Sequence, residues 1–448
     1  MADASEPLLP AAKGAKDVSG GLLHSRLPLD VRKQWYAIAL SDDLPKAKAG
    51  QVGAAAAGPM STSLLGDPLV LWRDLSGKAY CVADKCPHRS APLSLGKVNG
   101  DTGHVECIYH GWQIDGVSGK VVDIPAMLED KSIPSNAKVQ VYPLHEQDGV
   151  VYVWPGAAED AVAAKPPRDS TDSGTPLADP SSGFVMSQMC VDLPIDHALM
   201  IENLLDPAHV PFTHEGTIGN RKKIERLQMT VTKTANGFRG SVKEGYYNGF
   251  EAPCNIVLHT PPVPGKMDLY QYIGCTPTAP GQMRMIYRAY RNFATWAEKI
   301  PPLRRLFDDM SKKIIFQDYQ LLLGQQMRLR EGALPWNSTI QVDCLPVAYR
   351  RYWQRTFGSK DGPWWRGWDG KLDVEDLDRV GSWDREFDCN GCAVPRKPHH
   401  PQNVLEIPGA AGQPLRPAAP SAWWKLWAPP LAAAVLAAIV TRKVSSFN

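Results

Sequence analysis

With 448 residues, 44% of them apolar, the chain is long enough for two or three domains and can bury a core in each. Its 49 Lys and Arg against 47 Asp and Glu leave a net charge of +2 with no long basic run, which excludes nucleic acid as an implied partner. Nine cysteines over this length do not make a disulfide framework.

Residues 1–30 read as a flexible leader. They lack the positive start and apolar run of a secretory signal, and Asp3 and Glu6 are unlike an organellar transit peptide. From Trp35 the chain changes to short apolar stretches separated by turn signals: WYAIAL (35–40), PLVLWRD (68–74), KAYCVAD (78–84) and VVYVWPG (150–156). That pattern predicts a small all-β domain over 31–156. Within it, 46–63 is rich in Ala, Gly, Lys and Ser and reads as an inserted loop. Residues 157–182 are polar, Pro-rich and aperiodic, which marks a linker. A second domain, 183–375, mixes a helical segment (196–206), strand-like stretches (228–232, 254–259, 268–275, 283–290) and a long helix (302–331), an α+β pattern.

Residues 376–420 carry the pair Cys389-Asn-Gly-Cys392, and 421–441 hold an apolar run at 426–440. The run has no charge, with Trp423, Trp424 and Trp427 before it or at its start and Arg442 and Lys443 after it, which points to a C-terminal apolar helix acting as a membrane anchor. It falls short of the roughly 20 residues needed to span a bilayer unless the tryptophans are counted, so a docking helix is the alternative. Cys81, Cys190, Cys254, Cys275 and Cys344 stand alone and read as small buried residues.

Two clusters carry chemistry. The first is Cys86-Pro87-His88, answered by Cys107-Ile108-Tyr109-His110. Two thiolates can hold one iron of a [2Fe–2S] cluster and two neutral imidazoles the other, with one Cys and one His from each of two facing turns. Pro87 and Gly111 suit tight turns. The alternative is a zinc Cys₂His₂ site, although zinc spacings favour paired cysteines followed by paired histidines. His104 lies off the pattern.

The second cluster is Glu202-Asn-Leu-Leu-Asp206-Pro-Ala-His209-Val-Pro-Phe-Thr-His214. Two histidines and one carboxylate hold a mononuclear iron and leave positions open for O₂ and substrate. On a regular helix His209 and His214 would face different ways, but Pro207 and Pro211 break the regularity and let the rings converge. The carboxylate expected is Asp318. Ile314 and Ile315 before it and Leu321 and Leu322 after it place it on the apolar face of a helix, a costly position without a partner or a metal. Asp308 and Asp309 have Ser311, Lys312 and Lys313 at those offsets and read as solvated.

The stretches CPHRSAPLSLGK (86–97), CIYHGW (107–112) and ENLLDPAHVPFTH (202–214) resemble the α-subunit type of Rieske non-haem iron oxygenases. The resemblance narrows to the branch of chlorophyllide a oxygenase, pheophorbide a oxygenase and Tic55. QDYQLLLGQQMRLREGALPWN (317–337), LPVAYRRYW (345–353) and PLSLGKV (92–98) look most like the first of these. The DPAH motif, the late CxxC and the terminal apolar run look more like the other two, and the Pro- and His-rich tail after the CxxC departs from all of them.

The resemblance implies an all-β Rieske domain followed by a helix-grip-like α+β catalytic domain. It implies a [2Fe–2S] cluster on Cys86, His88, Cys107 and His110, and Fe(II) on His209, His214 and Asp318. Ferredoxin would donate electrons, and a chlorophyll-type tetrapyrrole would be oxidised with O₂. The expected chain is a homotrimer in which Asp206 links His110 of the partner subunit to His209, tethered in the thylakoid or inner envelope membrane of a chloroplast. The chemistry of the first relative turns a ring methyl into a formyl group; pheophorbide a oxygenase-type macrocycle opening and Tic55-type hydroxylation are the near alternatives. A soluble dioxygenase for small aromatics fits the irons but not the terminal run, and a non-catalytic redox subunit of a chloroplast membrane complex is the distant reading. Cys389 and Cys392 read either as a thioredoxin-sensitive redox pair or as two free thiols.

Overall fold

The structure is a computed structural model that describes residues 31–357, apart from 45, 47–57, 165, 167, 225, 244, 332 and 334–339. Cys389, Cys392 and the apolar run at 426–440 therefore lie outside the described residues. Among the described residues no helix is long and apolar enough to cross a membrane.

The first unit is built from ten short strands in three small antiparallel sheets. β1 (Tyr36–Leu40) is buried at all five positions. β2 (Met60–Leu64), β3 (Asp67–Arg73) and β4 (Ala79–Ala83) form one sheet in the order β2-β3-β4. β5 (Lys97–Val98), β6 (Val105–Glu106), β7 (Gln113–Ile114) and β8 (Val121–Asp123) form the second in sequence order. β9 (Leu144–Gln147) and β10 (Val150–Val153) complete the third, β1-β10-β9. The end of the stretch read as an inserted loop is strand: β2 pairs along β3, with Thr62 opposite Leu69. MSTSL has little apolar pattern of its own, so its strand state comes from the neighbour it pairs with.

The connecting segment is strapped down rather than loose. A short helix, Ala158–Val162, opens it. Further on, Asp169 pairs with Arg288 at 2.7 Å and accepts from the Tyr290 hydroxyl at 2.8 Å, Arg239 reaches Asp172 at 2.7 Å, and Leu177 is fully buried.

The second unit is a seven-stranded antiparallel sheet. Its strands are β11 (Val185–Leu193), β12 (Thr230–Lys233), β13 (Gly237–Lys243), β14 (Tyr246–Glu251), β15 (Asn255–His259), β16 (Leu269–Ala279) and β17 (Gln282–Arg291). The order is β11-β17-β16-β15-β14-β13-β12. Three helices pack with it: α1 (His197–Leu205), α2 (Pro301–Arg330) and α3 (Cys344–Phe357). α1 starts where the Asp196 side chain caps the Ala198 N–H at 2.8 Å, and α2 starts on prolines, whose missing N–H is not needed in a first turn. α3 enters a gap left by glycine: a methyl on Gly240 would come within 2.4 Å of the buried Leu345 side chain.

One core runs through both units, with Tyr36 and Ile38 from β1 packed in the same cluster as Ile273 and Cys275 from β16. Hydrogen bonds cross the same seam, from Thr276 to the Ala37 carbonyl at 2.6 Å and from Arg284 to the Ile38 carbonyl at 3.1 Å. A second cluster, including Val70, Trp72, Val105 and Ile114, lies under the loops that hold Cys86 and Cys107.

Candidate metal centres

The Cys86 and Cys107 loops are two copies of one turn. In the first, the Cys86 carbonyl accepts from Ser90 N–H at 2.9 Å while Cys86 N–H donates to Ala91 O at 2.8 Å. In the second, Cys107 accepts from Gly111 and donates to Trp112 O, both at 2.9 Å. Each turn closes on a left-handed residue, Ser90 at φ 59° and Gly111 at φ 72°. The turns bury both thiols and leave His88 and His110 exposed with their Nδ1 atoms 3.1 Å apart. Trp112 stacks on His88 with ring centroids 4.6 Å apart, and Tyr109 stacks on His110 at 3.9 Å.

Burial pushes the Cys86 thiol up to about 11, so a thiolate there needs a cation beside it. Among the described residues, the one group of three or more His, Cys, Asp or Glu whose ligand atoms all lie within 4.8 Å of one another is a different one. Cys86, His88, Cys107 and His110 therefore do not converge on a point, as four ligands of one zinc ion would. They separate into a buried thiol pair and an exposed imidazole pair, which fits two irons and not one.

The group that does converge is His209, His214 and Asp318. α1 ends at Leu205, a 3-10 turn covers Pro207–His209, and a one-turn helix covers Val210–Thr213. This break turns the two rings together: their Nε2 atoms are 3.3 Å apart. Asp318 comes from the middle of α2, with Oδ1 3.5 Å from His209 Nε2 and 3.2 Å from His214 Nε2. Ligands about 2.1 Å from a metal at right angles stand about 3 Å apart, so the three atoms suit one facial triad. His214 and Asp318 are buried and His209 is partly open, which leaves an approach on the His209 side. Burial alone would lower the His214 imidazole, but hydrogen bonding to Asp318, its charge and Gln317 outweigh it, and the net shift is upward.

Asp206 stands beside the triad and outside it. Its Oδ1 caps Ala208 N–H at 2.7 Å, and its Oδ2 lies 3.9 Å from His209 Nδ1. The acceptor for His209 Nδ1 is the Asp206 backbone carbonyl. Burial raises the Asp206 carboxyl above the ordinary aspartate range. Asp309 is exposed and Asp308 half-buried among Arg304 and Lys312, away from the triad. Sequence reasoning missed three polar neighbours. Gln317 Oε1 lies 3.2 Å from His214 Nδ1, Thr217 Oγ1 lies 3.0 Å from Gln317 Oε1, and Asn203 Nδ2 lies 3.5 Å from Asp318 Oδ1. Only Gln317 and Asn203 had a signal, as polar residues adjoining an expected ligand or inside a buried helix.

Residues 34–143 match the Rieske [2Fe–2S] domain family. Residues 195–243 match the vanillate O-demethylase oxygenase C-terminal domain, and residues 250–336 match pheophorbide a oxygenase. Chlorophyllide a oxygenase of Chlamydomonas reinhardtii is 32% identical over 337 residues, which cover 72% of this chain and 48% of that protein. TIC 55 of Pisum sativum is 31% identical over 323 residues, covering 68% of this chain and 54% of that one. The chain thus spans about half the length of the curated relatives it matches. Among solved structures, dicamba monooxygenase bound to 3,6-dichlorosalicylic acid superposes with a TM-score of 0.60 at 21% identity, covering 73% of this chain and 97% of that one. That likeness concerns the fold.

Proposed function

The chain carries a Rieske [2Fe–2S] domain and is related to the oxygenase branch of chlorophyllide a oxygenase, pheophorbide a oxygenase and TIC 55, and from that premise we propose that it is a Rieske non-haem iron monooxygenase of a chlorophyll-type tetrapyrrole. The reaction proposed is that of chlorophyllide a oxygenase, ring methyl to formyl, with O₂ and electrons from ferredoxin. The observation that carries it is the convergence of His209, His214 and Asp318 in the chain that also presents the Cys86, His88, Cys107 and His110 turns.

In this reading the two turns hold the [2Fe–2S] cluster and the triad holds Fe(II). When bound, these groups supply electrons and activate O₂. The protein's own part is orientation and shielding. Hydrogen bonds at both Nδ1 atoms aim both Nε2 atoms inward, and Asn203 steadies Asp318. Burial of His214 and Asp318 would keep water from those two members of the triad.

Assembly as a homotrimer belongs to the same proposal. His88 and His110 stand exposed beside Ile108 and Tyr109, 68% and 56% exposed, a tip suited to rest on another molecule. In such a trimer Asp206, with Oδ2 free of the cap, would bridge His110 of the partner subunit to His209. The 426–440 run would tether the trimer to a chloroplast membrane, the compartment named for the relatives. Light scattering should find a trimer; a monomer with an intact cluster removes the Asp206 relay.

One observation favours a second reading: 250–336, which includes Asp318, matches pheophorbide a oxygenase. Turnover with reduced ferredoxin on chlorophyllide a, pheophorbide a and protochlorophyllide a, followed by mass, separates the two. Methyl oxidation of chlorophyllide supports the first reading. Ring-opened product from pheophorbide moves the chain to the second. No product from any pigment, with the cluster intact, ends the tetrapyrrole reading. His209→Ala should abolish turnover and keep the cluster spectrum, whereas a pure electron carrier would be unaffected.

A further inference from the structure

The imidazole of His214 is gripped at both nitrogens by consecutive residues of one helix. Asp318 lies 3.2 Å from Nε2, and Gln317 Oε1 lies 3.2 Å from Nδ1. A neutral imidazole carries one proton, and the hydrogen bond made by one nitrogen decides which of the two keeps its lone pair. With the amide oxygen of Gln317 as acceptor, Nδ1 keeps the proton and Nε2 offers its lone pair toward Asp318 and His209. Had the amide nitrogen faced His214, the proton would be driven to Nε2, where it would block a metal.

The Gln317 amide has a second neighbour. Thr217 Oγ1 lies 2.7 Å from the His214 carbonyl and 3.0 Å from Gln317 Oε1, and shares its proton between them. The other ring is set differently: His209 Nδ1 donates to the Asp206 backbone carbonyl, which no side-chain change removes. Of the two metal-facing imidazoles, only His214 is set by a replaceable side chain.

We propose that Gln317 is a positioning residue that fixes the tautomer and ring plane of His214 and thereby sets the affinity of the triad for a divalent metal. The proposal rests on the reading of His209, His214 and Asp318 as the metal site. Outer partners of this kind contribute about 10–100-fold in metal affinity.

The test is Co(II) binding to the full-length protein with its [2Fe–2S] cluster in place and the mononuclear metal removed, read by dissociation constant and by the d–d absorption of the bound ion. Gln317→Leu removes the acceptor, and Gln317→Asn withdraws it by one methylene while keeping its polarity. Both should bind Co(II) about 10–100-fold more weakly, with an altered d–d band and unchanged thermal midpoint and cluster spectrum. Gln317→Glu keeps an acceptor and cannot donate, so it should bind at least as tightly as the wild type. Because Gln317 is half-buried, these variants are expected to fold. Wild-type affinity in both Leu and Asn variants, or a Glu variant as weak as Leu, overturns the proposal. If the wild type itself fails to bind Co(II), or binds it with the same band after His214→Ala, the triad reading falls and this inference with it.

Discussion

Ser90 and Gly111 close equivalent turns around the two cysteines, yet only one of them is glycine. A left-handed conformation costs an ordinary residue roughly 1–2 kcal/mol, offset in part by the greater freedom glycine loses on folding. Ser90→Gly should therefore leave stability unchanged or raise it by up to about 1 kcal/mol. Gly111→Ala should cost about 1–2 kcal/mol, because its methyl would also stand 3.1 Å from Pro125 Cγ. Denaturant titration followed through cluster absorbance reads both.

A second residue-scale prediction concerns Glu202 on α1. Burial pushes its carboxyl up to about 7 from an ordinary 4.5, with the Arg350 guanidinium opposing the shift. A folded-state value above the unfolded one means a stabilising contribution that is full below about 4.5 and lost as pH rises through about 7. Glu202→Gln keeps the shape and removes the titration. Its thermal midpoint should gain on the wild type as pH is raised across that window; a constant difference would show that Glu202 does not titrate there.

At the scale of elements, α3 and β13 fit through one missing side chain. Leu345 and Gly240 meet where a methyl would lie 2.4 Å from Leu345 Cδ1, and Leu345 is fully buried and has nowhere to go. Gly240→Ala should cost about 1–3 kcal/mol by overpacking, and Leu345→Ala about 2–5 kcal/mol by leaving a cavity. The double variant should cost less than the sum, since the smaller side chain makes room for the methyl. Strict additivity by urea denaturation would show that the two do not share the space. α2 shows the same dependence on surroundings: Ile315, Tyr319, Leu322 and Leu329 bury one stripe, and Asp318 sits inside it facing the two histidines. That periodicity was readable in the sequence, because a helix repeats its faces. α3 was not expected, since Pro346 and its mixed pattern give no clear stripe; Tyr349 packing on Phe250 at 5.0 Å makes it a core helix.

At the scale of the molecule, the two units share a core and trade hydrogen bonds across the seam from β1 to β16 and β17. Arg284 ties this seam, bound to Asp192 at 2.6 Å through both Nε and Nη2 and to the Ile38 carbonyl through Nη1. Thermal unfolding should therefore be one transition, with cluster bleaching and loss of second-unit helicity at the same midpoint. Arg284→Met should lower that midpoint for both signals together, by the equivalent of about 1.5–3 kcal/mol for hydrogen bonds to a charged group. Two separated midpoints would mean that the seam does not couple the units.

What the sequence determined by itself is local chemistry. The Cys-Pro-His and Cys-Ile-Tyr-His turns are defined by neighbours a few residues apart, and short-range sterics and hydrogen bonds are enough to shape them. The prolines at 207 and 211 announce the break that brings His209 toward His214, and the apolar neighbours of Asp318 announce an inward carboxylate. What only the tertiary structure decided is the meeting of groups far apart in the chain. No local pattern states that Gln317 grips the far side of His214 or that Thr217 reaches Gln317 from a hundred residues earlier. β2 became a strand only because β3 lies beside it, and the polar connecting segment was fixed only by Arg288, Tyr290 and Arg239 on distant strands. Pairing and burial of that kind depend on the closure of long loops around a common core, and that information is not carried by any single stretch of residues.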